Sequence, residues 1–354
     1  MKKKLSSLLV AGTMASVLPL SIAQADETKV YGKLHLNYGT YEEKSGSTTV
    51  EDNWQLNSYA SRFGVKGSKD LDGGLQAIYK LEWEVNPDGD NTEEFDVEDG
   101  SQADNTDAVT IEDSGTAGFS RRNMYVGLKG GFGELRFGRH DTPLKLVQGK
   151  FDQFNDTLGD LKHAGDEDGE NRVDNVLAYL GKAGEINFTI ALIPSEGDGT
   201  TAGDGPADSY SASISYSTGP LYVGVAMDSY DDTAGADENS LARLVAIYKM
   251  SDMQFGLLWQ SGVEAPDTSA AKEDWIGLSF NTKFGGNNKF KAQYIMVEDS
   301  AATPLEGTLL AVGIDHNLDK KNKVYVMYTA LEEEAGGTTT KEVNSLSVGM
   351  VSGF

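Results

Sequence analysis

The chain has 354 residues, with 55 acidic against 30 basic side chains, a formal net charge of −25, and no cysteine. So large a negative excess excludes a general nucleic-acid-binding role, because a polyanion would be repelled. Without cysteine no disulfide contributes, and the fold must hold through backbone pairing and burial.

At the start of the chain, Lys2, Lys3 and Lys4 precede a mostly apolar stretch from Leu5 to Ile22, and Ala23-Gln24-Ala25 has the form of a cleavage site. Residues 1–25 are therefore expected to be a signal peptide, with Asp26 the first mature residue. Pro19 and the charged Asp26-Glu27 argue against a retained anchor. Cleavage removes the three lysines and takes the formal charge from −25 to −28. No later segment has the roughly 18 apolar residues that a spanning helix needs.

From residue 26 onward the dominant signal is a period of two. Leu75, Ala77, Tyr79, Leu81, Trp83 and Val85 oppose Gln76, Lys80, Glu82 and Glu84. Ile186, Phe188, Ile190 and Leu192 oppose Asn187, Thr189 and Ala191, and Tyr210, Ala212, Ile214 and Tyr216 oppose a run of serines. Met253, Phe255, Leu257 and Trp259 oppose Gln254, Gly256 and Gln260, while Phe290, Ala292, Tyr294 and Met296 oppose Lys289, Lys291 and Gln293. The last segment places Leu346, Val348, Met350 and Phe354 against Val343, Ser345, Ser347, Gly349 and Gly353. A helical period does not generate such matches.

The connections alternate as well. Lys69–Gly73, Gly130–Gly133, Lys182–Gly184, Gly219-Pro220, Ser251-Asp252, Gly285–Asn287 and Asp319–Asn322 are short and turn-like. Between them come longer, acidic connections, including Asp231–Asn239, Glu264–Ala271 and Glu334–Lys341. Seven short turns and eight longer loops join sixteen strands. The expected fold is therefore all-β, a 16-stranded antiparallel transmembrane β-barrel over residues 26–354, its apolar face toward lipid and its polar face toward water. A soluble β-sandwich alternates too, but its polar face points outward, whereas sixteen strands close a barrel too wide for side chains to fill. Tyr38, Trp54, Trp83, Tyr230, Trp259 and Trp275 suit the aromatic girdles of such a barrel.

Two connections stand out. Residues 87–118 carry eleven acids and no lysine or arginine, and are expected to form a solvated external loop. Residues 143–171 contain Lys150-Phe-Asp-Gln-Phe-Asn-Asp156, in which Phe151 and Phe154, with Leu158 and Leu161, can bury against a wall while Asp152, Asp156 and Asp160 face water. A loop of this kind has reason to fold inward and narrow the lumen.

Ser61-Arg-Phe-Gly-Val-Lys-Gly67, Arg122-Asn-Met-Tyr-Val-Gly-Leu-Lys-Gly130 and Gly131-Phe-Gly-Glu-Leu-Arg-Phe-Gly-Arg139 resemble the first strands of the Gram-negative general (trimeric) porins. Residues 150–156 resemble the constriction loop of the neisserial and proteobacterial branch, residues 172–179 resemble the strand that follows it, and terminal Phe354 resembles the family's barrel-assembly signal. The resemblance implies a trimeric outer-membrane channel for small hydrophilic solutes and ions, with the third external loop folded inward. It also implies as partners a homotrimer, outer-membrane lipid and lipopolysaccharide, and the barrel-assembly machinery. The very acidic second external loop departs from the family pattern.

If Asp152, Asp156 and Asp160 line one side of the pore, cations are expected opposite. Phe63 and Val65 face outward, so Arg62 and Lys66 face the lumen, and Lys80 is inward on the next strand. Parity favours Arg121 over Arg122, but the resemblance points to Arg122, which is preferred because strands at subunit contacts pack protein on both faces. Arg136 is inward by parity and Arg139 by resemblance, which a bulge near Gly138 would allow. Bases facing acids across a water-filled gap set up a transverse field that sorts solutes by size and charge.

None of His35, His140, His163 and His316 sits in a catalytic or zinc motif, and the acidic spacing of residues 87–118 does not match an EF-hand. No enzymatic activity, metal or cofactor is expected. A channel dedicated to one ligand class would need an aromatic track, and inward parity holds few aromatics beyond Tyr31 and Tyr222. The net charge draws cations to the mouth, but loop charges lie beyond about one Debye length, roughly 8 Å. A weak, salt-dependent cation preference is expected.

Overall fold

In hydrocarbon every backbone N–H and C=O needs a partner, so extended chain spans a membrane only as a closed sheet. The computed structural model describes residues 27–88, 119–165, 169–194, 205, 207–230, 239–263, 272–300 and 304–354. Residues 1–25, most of 87–118, and the loops at 231–238 and 264–271 lie outside the described residues. Seventeen extended segments follow in order: β1 (Glu27–Ser45), β2 (Thr48–Ser58), β3 (Arg62–Asp70), β4 (Gln76–Val85), β5 (Phe119–Gly130), β6 (Gly133–Asp141), β7 (Arg172–Ala183), β8 (Ile186–Ile193) and β9 (Ser209–Thr218). The second half adds β10 (Leu221–Tyr230), β11 (Asn239–Met250), β12 (Met253–Val263), β13 (Glu273–Phe284), β14 (Asn288–Asp299), β15 (Leu305–Asn317), β16 (Asn322–Ala335) and β17 (Thr338–Gly353).

β2 and β3 lie end to end along β1, where Leu36 faces Ser58 and Lys33 faces Arg62. The break between them falls at residues 59–61, with Ala60 at φ 48°. The two segments form one barrel strand, so the barrel has sixteen. Each strand pairs antiparallel with its sequence neighbours, and β1 closes on β17 from Lys33–Gly353 to Ser45–Lys341. At the seam, Phe354 N–H donates to Gly32 O at 3.1 Å. The Phe354 ring covers Gly32 so closely that a Cβ there would stand 2.1 Å from it.

The seven short turns fall where the composition places them, with Gly184 and Gly219 at positive φ. Two external connections are shorter than expected. The segment Glu334–Lys341 is not a loop: β16 runs to Ala335, β17 starts at Thr338, and Gly336-Gly337 (φ 56° and 75°) make a two-residue turn. Two positive-φ glycines suit such a hairpin, and Thr338 to Thr340 are good strand formers. β1 and β2 are joined in the same way at Gly46.

The outward face is apolar, as on β14, where Tyr294 and Met296 are exposed while Lys291 and Gln293 are buried. Tyr38, Trp54 and Trp259 are likewise exposed, and Trp83 stacks on Phe63. The inner face departs from the expected polar lining over β11–β17. Val245, Ile247, Leu258, Ile295, Val297, Leu309 and Met327 point inward and form one buried cluster with Phe151, Phe154, Leu161 and Ala164 of the 143–171 connection. Trp275, expected in a girdle, is fully buried in this cluster, because Ile276 takes the outward position beside it. The core of the molecule thus sits inside the barrel, between loop and wall.

Room for the loop comes from inward glycines. A Cβ on Gly277 would stand 2.6 Å from the Phe151 ring, one on Gly256 3.0 Å from it, and one on Gly307 2.4 Å from the Ala164 carbonyl oxygen. Burying a phenylalanine contributes about 1.5–3 kcal/mol, so two aromatics hold the loop firmly. Gly277→Val is expected to unseat Phe151 while leaving the barrel paired. Single-channel conductance should rise and protease should cut within residues 143–171, with heat-modifiable gel migration retained. Unchanged conductance and resistance would contradict the seating.

Candidate pore constriction

The inward connection starts after β6, where Thr142 Oγ1 accepts from Lys145 N–H at 3.2 Å and caps a single helical turn, α1 (Pro143–Val147). Pro at the first helical position costs no hydrogen bond, since that N–H has no intrahelical partner. The chain then crosses the lumen, fastened from several strands. Ser211 Oγ accepts from Leu144 N–H at 3.3 Å, and Tyr222 Oη donates to Val147 O at 2.7 Å. Gln254 Nε2 donates to Lys150 O at 3.0 Å. Gln153 is held at every polar group shown: its N–H donates to Gln293 Oε1 (2.9 Å), its Oε1 accepts from Asn281 (2.9 Å) and Lys289 (3.3 Å), and its carbonyl accepts from Lys291 (3.1 Å). Lys291 Nζ also lies 4.3 Å from the centre of the Phe154 ring.

The three loop acids divide by role. Asp152 turns into the loop, accepting from Phe154 N–H (2.7 Å) and Leu161 N–H (3.1 Å). Burial pushes its carboxyl well up, and the nearby Asp160 adds to this. Asp160 is also buried, accepting from Asp156 N–H (2.7 Å) and Lys162 N–H (3.2 Å). From the sequence both are expected to face water; they brace the loop instead, because the tight chain reversal leaves backbone donors that only a nearby side chain can satisfy. Asp156 alone meets the opposite wall. It sits at φ 59°, a conformation aspartate tolerates better than most residues. Lys33 Nζ lies 2.6 Å and Arg62 Nη2 2.5 Å from its Oδ2. Burial alone would raise the Asp156 carboxyl, but Arg62 and Lys33 outweigh it and hold it down to about 2. Two unit charges about 4 Å apart attract by about 4 kcal/mol at an effective dielectric near 20, so two bases suffice.

The wall bases are matched with wall acids. Lys80 lies 3.2 Å from Glu82, whose other contacts are Tyr31 Oη (2.8 Å) and Arg122 (3.3 Å). Arg122 also reaches Glu84. Lys66 stands over the Tyr31 ring, 4.9 Å from its centre. Arg136 pairs with Glu134 at 2.5 Å and covers Tyr125. Arg122 is thus the inward member of its pair, while Arg121 is largely exposed and bonds Asp174 at 3.4 Å. The register breaks between Leu81 and Trp83, which puts Arg121 on the face of Trp83 and Phe119. Arg139 does not join the inward bases. It bonds Asp174 at 2.7 Å beside Arg121, opposite the outward Met124. The register does break beside Gly138, but the extra residue lies on β7, where Asn175 has φ 59°, so β6 keeps its alternation and His140 points inward with Arg136, 2.5 Å from it.

Several groups escaped the sequence reading. Lys33, Lys289, Lys291, Lys323, Glu82, Glu84 and Gln153 all share the polar parity of their strands or loop, yet nothing in the chain says which of them meet. At the loop's stem, Glu170 pairs with the fully buried Arg243 at 3.0 Å, and burial pushes its carboxyl up despite Arg243 and Lys145. Tyr325 and Trp275 are inward aromatics too, but both are sealed beneath the loop and offer no track to a solute.

A closed barrel of sixteen strands, apolar outside and crossed inside by a pinned loop, defines the class of outer-membrane channel. A family profile of Gram-negative porins matches residues 9–336. Outer membrane porin protein 32 of Delftia acidovorans is 24% identical, with 99% of this chain and 95% of that one covered. The major outer membrane protein P.IB of Neisseria meningitidis serogroup B is 28% identical over 93% of this chain and 94% of that one. Among solved structures, an anion-selective porin from Comamonas acidovorans superposes with a TM-score of 0.71 at 21% identity, covering 93% of this chain and 99% of that one. The chain belongs to the Gram-negative porins. It is a general diffusion channel of the outer membrane for small hydrophilic solutes and ions.

Because the Asp156 carboxyl is depressed in the folded protein, its ion pairs persist through the ordinary carboxylate range and are lost only as pH falls toward about 2. The difference in reversal potential between wild type and Asp156→Asn is therefore expected to persist from about pH 7 to about pH 3. A difference that vanishes within this window would show that Asp156 protonates normally.

Proposed function

We propose that solutes pass between the inward loop and the wall of β3–β6, and that Asp156 sets the aperture by fastening the loop tip to β1 and β3. The observation that carries this reading is the convergence of Lys33 and Arg62 on one Asp156 oxygen. Lys80, Arg122 and Arg136 bond acids of their own wall rather than the loop, which leaves their side of the gap free for water. The field across this gap is a mosaic of Glu82, Glu84, Glu134 and the bases, with Asp156 as the loop's contribution. Passage needs no covalent step, and the protein acts as a sieve rather than an enzyme. Its proposed organisation is a homotrimer in contact with outer-membrane lipid and lipopolysaccharide, made from a precursor whose residues 1–25 are removed. Phe354, exposed at the seam and lying over Gly32, is the proposed signal to the barrel-assembly machinery.

Asp156→Ala is expected to widen the sieve. In liposome swelling, sugars that the wild type retards should enter faster, by about twofold or more, since the ion pairs to Lys33 and Arg62 restrain the tip. Unchanged size dependence would place the aperture elsewhere. Outer-membrane extracts should give a boiling-sensitive trimer on gels and threefold conductance steps, and a monomer with single steps would overturn the assembly.

A further inference from the structure

We propose that the lumen is electrically polarised along its axis, basic on the side of the short turns and acidic on the side of the loops, so that ion selectivity depends on which face meets the more dilute solution. The inference rests on the reading of an open, water-filled passage. On the short-turn side, lysines face one another across neighbouring strands. Lys29, Lys66 and Lys80 form one row across β1, β3 and β4, and Lys283 faces Lys289 across β13 and β14. Parity turns these rows inward: Val65 and Leu81 face out between the first set, and Lys289 reaches the loop's Gln153 at 3.3 Å. Like charges directly opposite destabilise a sheet, so neither row is explained by strand pairing. Asp315, bonded to Lys291 (3.2 Å) and Lys323 (2.8 Å), offsets only part of this charge.

The loop side shows the opposite arrangement. Glu43 faces Glu51 across β1 and β2. Glu273 faces Asp299 across β13 and β14, on the inward parity of the buried Trp275 and Val297, near the ends of the strands that lead into the external loops. The two ends carry opposite charge, separated by the constriction. The net charge of the chain hides this, because it sums both ends and the distant loops.

A fixed charge is screened least where the adjoining solution is most dilute, with a Debye length of about 30 Å at about 10 mM and about 3 Å at 1 M. Permselectivity therefore follows the end that meets the dilute side. The expected result replaces one uniform cation preference by two values. With about 10 mM KCl on the short-turn side and about 100 mM on the other, the reversal potential should indicate anion preference, and with the gradient reversed, weaker anion or cation preference. In symmetric 10 mM KCl the current should differ between the two polarities, and in 1 M KCl this asymmetry should vanish.

The double variant Lys29→Gln/Lys283→Gln tests the source, because both lysines belong to the basic rows and neither is one of the constriction's wall bases. Its conductance in 1 M KCl should match wild type while the gradient asymmetry and the low-salt rectification shrink together. Channels that conduct with equal reversal magnitudes in both gradient directions would overturn the axial polarity and leave the channel reading standing. Absence of any conductance would instead overturn that reading.

Discussion

Everything about the constriction depends on one packing contact, the seating of Phe151 and Phe154 on a wall hollowed by Gly256, Gly277 and Gly313. A barrel this wide cannot fill its own interior with side chains. Inner-wall groups must either meet water or find a partner, and the loop is that partner for β11–β17. The strands behind it therefore carry apolar side chains on the inner face as well, set among polar ones such as Asn281, Lys291 and Gln293 that bond the loop. Glycine is required at the contact because any Cβ would occupy the place of the ring.

Apolar seating fixes where the loop lies but not where its tip ends. Directional contacts do that. Gln153 is bonded from β13 and β14, and Asp156 from β1 and β3. The loop can make these bonds because Asp152 and Asp160 satisfy its own backbone donors, leaving one carboxylate free to reach across. Buried polar groups without partners are costly, so the acids closest to the loop's interior are consumed as structure. Only the one at the tip remains as a charge in the gap.

The electrostatics are local in the same sense. Wall bases are matched by Glu82, Glu84 and Glu134 within a few ångströms, so the field in the gap arises from short pairs rather than from the chain's large net charge. Charges that face one another along the sheet, as at Lys283 and Lys289, cannot pair with each other and project their field into the water instead.

The strands, the short turns, the inward loop and its apolar edge were all legible in the chain, because alternation and turn chemistry are local properties that lipid on one face and water on the other impose residue by residue. The inward positions of Arg62, Lys66, Lys80 and Arg136 followed from the same parity. Tertiary structure alone decided the rest. The break before Trp83 sets Arg122 inward and Arg121 outward, while the extra residue near Gly138 falls on β7, so that β6 alternates unbroken and leaves Arg139 outside with Phe137. Trp275 goes under the loop rather than into a girdle, since it shares the inward parity of Gly277 and Ser279 and the loop, not water, covers that part of the wall. Which of three aspartates meets the wall, and that Lys33 joins Arg62 in meeting it, depends on contacts between residues more than a hundred positions apart or on the loop's own reversal. A period of two records which face a side chain takes, but only the closed barrel determines what stands opposite it.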